Sequence, residues 1–212
     1  MRLVLLGAPG AGKGTQAKKI VQRFKISHIS TGNILRNEIK NDTELGRKAD
    51  SFVKEGKLVP DELIIEIIKK ELEGKRSSKG FLMDGFPRNL KQAKMFQDML
   101  DLLGLKLDRV INIDVSKDEI IKRLTSRRIC HSCNNIYSIN SLKDMESAKC
   151  PDCGGDLIKR KDDEKEVIAE RLNVYEKETK PLIDYYKGQN LLVDIDGTGN
   201  ENQVTERVLK HL

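Results

Sequence analysis

Apolar residues come in short dense runs, separated by stretches in which they recur every three or four positions. The runs fall at 3–6, 28–29, 81–83, 110–113 and 191–193. They lack the alternation of a sheet with one wet face and read as parallel strands covered on both sides. Between them the spacing predicts helices over 14–24, 61–72, 90–103, 117–127 and 164–186. The second carries the fullest signals. Pro60 precedes an acidic first turn, Asp61 and Glu62, and Ile64, Ile67, Ile68 and Leu72 form one apolar stripe. Strands alternating with helices imply βαβ units, hence an α/β fold on a parallel sheet. Two segments break the alternation. Residues 30–59 read as two short charged helices. Residues 127–163 show little helical period and contain every cysteine of the chain. That segment is far longer than an ordinary αβ connection of about 2–6 residues, so it reads as a separately folded inserted lobe.

A chain of 212 residues can bury one sizeable core with small insertions. No apolar run approaches the roughly 18 residues of a membrane span, and no basic stretch feeds an apolar one at the start, so no membrane partner and a cytoplasmic location are expected. Net charge is +6, but Trp is absent and aromatic residues make up only 4%, which argues against a base-stacking surface and a nucleic-acid partner. The basic excess suits small polyanions instead.

The chemistry begins at the first strand. Residues 1–16 read MRLVLLGAPGAGKGTQ: an apolar strand, a glycine-rich turn, then a helix from about Lys13. Such a turn wraps backbone N–H groups around a phosphate while the helix start faces the same anion. Gly7, Gly10, Gly12 and Gly14 are expected to leave room that a Cβ would obstruct. Lys13 would reach the terminal phosphates of a nucleoside triphosphate. The usual pattern puts Ser or Thr directly after the lysine; here Gly14 intervenes and Thr15 follows.

Cys130-His131-Ser132-Cys133 and Cys150-Pro151-Asp152-Cys153 form two C-x₂-C knuckles separated by sixteen residues. Four thiolates so spaced can close a tetrahedron around Zn²⁺, leaving no open position, so the site should be structural; an Fe–S centre is the alternative. Lys143, Lys149, Arg127 and Arg128 are placed to offset the negative charge of such a site.

With these pieces the chain resembles the adenylate kinases of the long bacterial type with a zinc-bearing lid. The likeness covers essentially all residues and rests on GAPGAGKGTQ at 7–16, ISTGNILR at 29–36, GKLVPDE at 56–62, GFLMDGFPRNLKQA at 80–93, RLTSRRIC at 123–130, RKDD at 160–163 and RLNVYEKETKPLIDYY at 171–186. GKGT in place of GK[ST] is itself a feature of nucleoside monophosphate kinases. The resemblance implies a five-stranded parallel core at 1–29, 60–126 and 164–212, an AMP-binding insertion at 30–59 and a lid at 127–163. It implies ATP, AMP and ADP as partners, Mg²⁺ with ATP and one structural Zn²⁺, in a monomer.

Residue by residue, it assigns ATP to Gly10, Ala11, Gly12, Lys13, Gly14, Thr15, Arg127, Ile136, Tyr137 and Gly199. AMP falls to Thr31, Arg36, Lys57, Leu58, Val59, Gly85, Phe86, Pro87, Arg88 and Gln92. Arg160 and Arg171 bridge both nucleotides, and Arg123 grips the triphosphate from the hinge side. Lys13, Arg88, Arg123, Arg160, Arg171 and Asp84 form the catalytic set, with Asp84 holding water around Mg²⁺. Asp162 and Asp163 are implied to orient neighbouring arginines. Two positions depart from the pattern: Asn33 stands where an Asp is usual, and Ser126 where a Gly is.

The implied reaction moves the γ-phosphoryl of MgATP onto an AMP phosphate oxygen. That oxygen is already ionised near neutral pH, so alignment and cations are needed rather than a general base. His28, His131 and His211 accordingly lack any triad context. Three rivals are a kinase for another monophosphate, an RNA-binding zinc-knuckle module and a P-loop switch. The module would leave the phosphate loop and DGFPR unused, and the switch would need a sensing loop where acceptor-side arginines stand.

Overall fold

The structure, a computed structural model, describes residues 1–139 and 149–212. Lys143 therefore lies outside the described residues. The chain begins with β1 (Arg2–Leu6), α1 (Lys13–Phe24), β2 (Ser27–Ser30), α2 (Thr31–Lys40), α3 (Glu44–Glu55) and α4 (Asp61–Glu73). It continues through β3 (Phe81–Asp84), α5 (Leu90–Leu102), β4 (Arg109–Asp114) and α6 (Lys117–Ser126). Three short strands follow, β5 (Arg127–Cys130), β6 (Ile136–Ser138) and β7 (Leu157–Ile158). The chain closes with α7 (Lys165–Val174), α8 (Pro181–Gly188), β8 (Leu192–Asp196) and α9 (Glu201–Leu209).

Five strands form one parallel sheet in the order β2-β3-β1-β4-β8. Side chains of successive strand residues leave on opposite faces, and both faces are covered. Val4 and Leu6 pack with Phe81, Met83, Phe86, Phe96 and Leu182 on one side. Leu3 and Leu5 pack with Ile20, Leu82, Ile111, Ile113 and Leu124 on the other. This accounts for the short, continuous apolar runs. The central strand β1 thereby delivers the glycine-rich turn to the carboxyl edge of the sheet, where open α/β sheets bind ligands.

Two expectations need correction. The stretch 164–186 is two helices, because a π turn at Tyr175–Thr179 separates α7 from α8. Pro181 has no N–H to return to the preceding turn, and Lys180 N–H closes the wider ring to Tyr175 O at 2.9 Å. The cysteine lobe, which showed no period, contains a three-stranded antiparallel sheet, β6-β5-β7. Strands of two to four residues are too short to leave a pattern. The helix α9 was also not anticipated. Its start has a full capping box, Asn200 with Gln203, a signal that the sequence does carry.

Candidate active site

The turn after β1 is held in shape by glycine at two decisive positions. Gly7 has φ 138°, and a Cβ there would stand 2.5 Å from Ile113 O on the neighbouring strand. Gly12 caps α1 in the left-handed region at φ 100°. Gly14 is different from the expectation: it lies in α1, and a Cβ would meet nothing closer than Asp84 Oδ2 at 3.8 Å. Its role is not backbone freedom. Lys13 Nζ donates to Gly7 O (2.6 Å) and Ala8 O (2.9 Å), curling over the turn.

The turn opens into a cleft of about 880 Å³. The cationic side chains of Lys13, Lys18, Arg36, Arg88, Arg123, Arg127, Arg160 and Arg171 line it, against the acids Asp84, Glu119 and Glu201. A narrower pocket between α2, α3 and α4 is lined by Thr31, Leu35, Val53, Lys57, Val59, Ile64 and Gln92, and shares Arg36, Leu58, Gly85, Arg88 and Arg171 with the cleft. The two cavities thus meet at three arginines.

Burial of positive charge dominates the electrostatics there. Burial pulls Lys13 down from its ordinary 10.5 to about 8; Asp84 opposes this, while Arg88, Arg171 and Arg127 add to it. Burial, then Arg171 and Arg36, brings Arg88 down to about 10. Burial, then Arg36 and Arg127, brings Arg160 to about 9. Arg160 Nε is buried with no hydrogen-bond partner among the described residues. A polyanion is the ligand that would relieve all of these at once.

The other groups are positioned by the protein. Gly85 O accepts from Thr31 Oγ1 and from Arg88 Nε, both at 2.8 Å. The fully buried Asp163 takes Arg127 Nε at 2.7 Å and Arg171 NH1 at 3.0 Å, tying β5 to α7. Asp162 Oδ2 stands 3.1 Å from Arg171. Arg123 reaches Glu119 (2.9 Å) and Gly197 O (3.0 Å). Burial pushes the Asp84 carboxyl up, but nearby His28, Lys13 and Arg88 outweigh it and hold the group below the ordinary carboxylate range.

All ten residues assigned to ATP line the cleft, namely Gly10 to Thr15, Arg127, Ile136, Tyr137 and Gly199. Of the AMP set, Pro87 and Arg160 line only the cleft, and Phe86 lines neither cavity. The Phe86 ring is fully buried and meets Phe96 edge-on at 5.2 Å, so it supports the floor from beneath. Asn33 Oδ1 accepts from Arg36 NH2 at 2.7 Å, and Ser126 Oγ donates to Arg123 O at 3.2 Å. Three groups escaped sequence reasoning. His28 Nε2 lies 3.4 Å from Asp84 Oδ2, and Ser30 Oγ is at the same distance. Thr179, on the π turn, donates to Arg88 O at 2.7 Å. Only the sheet register, Ser30 beside Asp84, brings the first two to the acid.

The two cysteine knuckles are closed identically. Cys130 N–H donates to Asn135 O (2.9 Å) and Asn134 N–H to Cys130 O (3.0 Å); Cys150 N–H donates to Gly155 O (2.7 Å) and Gly154 N–H to Cys150 O (2.8 Å). Asn134 and Gly154 take matching left-handed backbone, φ 59° and 71°. No disulfide forms. Sγ atoms of Cys130 and Cys153 are 3.4 Å apart and those of Cys133 and Cys150 are 3.6 Å, with all four within 4.8 Å of one another. Zn–S bonds of about 2.3 Å require S···S edges of about 3.8 Å, so the donor set fits a tetrahedral ion. The lobe touches the core helix α1 through Lys18 Nζ and Asn135 Oδ1, 2.6 Å.

The family model described as adenylate kinase matches residues 5–191. Adenylate kinases of Finegoldia magna and Caldicellulosiruptor bescii are each 48% identical over 212 residues, covering 100% of this chain and 99% of theirs. That of Archaeoglobus fulgidus is 47% identical over 198 residues, 93% of this chain and 91% of its own.

Proposed function

The chain belongs to the adenylate kinase family and so transfers the γ-phosphoryl group of MgATP to AMP, giving two ADP; we propose that the cleft holds MgATP and the narrow pocket holds AMP. The observation that carries this division is the meeting of the two cavities at Arg36, Arg88 and Arg171, where cations already repel one another. In this reading Arg36 and Arg88 hold the AMP phosphate at that junction, and Arg171 is common to both nucleotides.

In this reading Lys13 and the first-turn amides of α1 take the β- and γ-phosphates. Arg88, Arg160 and Arg171 follow charge around the transferring group, and Arg123 and Arg127 hold the triphosphate from the side of α6 and β5. The AMP oxygen that attacks is ionised near neutral pH, so none of these groups has to remove a proton. When bound with ATP, Mg²⁺ neutralises charge on the phosphates; the ionised Asp84 and Thr15 are the residues of this chain suited to holding it. Thr31 and Gln92 face the AMP base, with Leu58 and Val59 packing beside it. Asn33 keeps a neutral acceptor on Arg36 where an acid is usual, and phosphate binding survives.

Residues 30–59 act as the acceptor-binding insertion and 127–163 as a lid that excludes water, because water would otherwise compete with AMP for the phosphoryl group. The four cysteines hold one structural Zn²⁺ within that lid. Among the described residues no helix is long and apolar enough to cross a membrane. We read the protein as a cytoplasmic monomer without nucleic-acid partners.

Separate titrations with ATP and AMP test the division. Arg88→Ala should impair AMP use and turnover while leaving MgATP binding within about threefold, since one lost charge-assisted contact affects the site it faces. Arg36→Ala should mainly raise KM for AMP. If either variant lost ATP affinity as strongly as AMP affinity, the two-cavity assignment would fail.

A further inference from the structure

Gln92 is 2% exposed, yet it lines the narrow pocket. Its side-chain amide is gripped at both ends. Nε2 donates to Asp61 Oδ1 at 2.7 Å, and Oε1 accepts from Arg88 N–H at 2.8 Å. Asp61 is itself held: Asn89 Nδ2 donates to the same oxygen at 3.1 Å, and Lys91 Nζ lies 3.4 Å from the other. Asn89 in turn caps α5 by accepting from Gln92 N–H at 2.8 Å.

These contacts leave no freedom in which way the amide faces. An ionised carboxylate only accepts and a backbone N–H only donates. Turning the amide over would set its oxygen against Asp61 and its NH₂ against Arg88 N–H, two repulsive contacts in a buried place. Burial alone would raise the Asp61 carboxyl, but hydrogen bonds from Gln92, Asn89 and Lys91 hold it below the ordinary range, so it remains an acceptor through neutral pH.

A primary amide has two N–H groups and two carbonyl lone pairs. With one of each engaged, Gln92 has one donor and one acceptor left, at fixed places. Adenine offers the complement along its pairing edge, an acceptor at N1 and a donor at the 6-amino group. A 6-oxopurine offers the reverse, a donor at N1 and an acceptor at O6. We propose that Asp61 is a positioning residue for base selection: it fixes the orientation of the Gln92 amide and thereby makes the pocket prefer 6-aminopurine over 6-oxopurine monophosphates. This rests on reading the narrow pocket as the AMP site. Asp61 itself lines neither cavity.

The test measures kcat/KM for AMP and for IMP in parallel, with MgATP as donor. Asp61→Ala should lower the AMP/IMP ratio about tenfold, the scale of one two-bond base contact, with KM for MgATP within twofold. Asp61→Asn keeps an oxygen toward Gln92 and should hold the ratio within about threefold of wild type. Asp61→Ser, acceptable in a first helical turn, repeats the measurement if the Ala variant does not fold. A merely structural role would lower both substrates alike and leave the ratio unchanged; that result overturns the proposal, as does an Asn variant no more selective than Ala. Gln92→Leu separates the layers. If it narrows the ratio while Asp61→Ala does not, only the role of Asp61 falls. If Gln92→Leu leaves AMP use unaltered, the assignment of the pocket to AMP falls, and the proposal with it.

Discussion

Leu3, Val4, Phe81, Leu82, Met83, Val110 and Ile111 of the parallel sheet are completely shut off from solvent. The described residues of 127–163 bury only Ile129, Cys130, Cys150 and the acids Asp162 and Asp163. Each large apolar side chain buried in the sheet contributes about 1.5–3 kcal/mol, so the core holds together by area. The three apolar residues among these cannot do the same for a second sheet of two- and three-residue pairings. A structural zinc ion contributes about 10–16 kcal/mol in peptides of comparable size, which is the scale the lobe lacks. The contrast separates two jobs. The core keeps its cations in place against their own repulsion, whereas under the proposed lid role the lobe would need internal rigidity to bring Arg127 and Arg160 to the site together.

The sharpest way to break this contrast is to remove a cation from the core side. Lys13→Ala should cut turnover by at least ~10², the size of one preorganised electrostatic group. Its melting temperature without nucleotide should not fall, because a charge that burial destabilises is lost. A variant within threefold of wild-type turnover would remove Lys13 from the phosphate site.

A smaller effect should appear with pH. In the empty protein Lys13 titrates at about 8, below its ordinary 10.5. kcat/KM for MgATP should therefore fall about tenfold per unit as pH rises above about 8, since that quantity reports the free enzyme. Stability should move the other way. Between about 8 and 10.5 the unfolded chain binds the additional proton, so this group's contribution to stability rises with pH across that window and its full cost is present below it. A flat kcat/KM profile to pH 9.5 would contradict the shifted lysine.

How legible these features were in the sequence follows from the same contrast. Leu3–Leu6 with its glycine turn, the DGFPR turn and the two knuckles announce themselves because each depends on local spacing. The inner strands β1, β3 and β4 were visible as apolar runs for the reason that makes them stable, burial on both faces, while the edge strands β2 and β8 are only partly buried. β5, β6 and β7 left no trace, since strands this short take their register from the knuckle turns rather than from side chains. The break at Tyr175–Thr179 was hidden behind an unbroken helical period, though Pro181 marked the spot. His28 beside Asp84 and Asp61 beside Gln92 are contacts between distant segments, set by sheet register and by α4 against α5; no spacing within either segment encodes them.

The division of labour is tested most directly on one chelated sample, by following zinc content, limited proteolysis and turnover together. The account predicts one zinc per chain before chelation. After chelation it predicts a lower melting temperature, first cleavage within 127–163, and turnover that persists in part at low temperature, because four thiolates leave the ion no open position. A folded, full-length protein that lost all turnover on zinc removal and regained it on readdition would contradict the account, placing the ion in the chemistry rather than in the lobe's architecture.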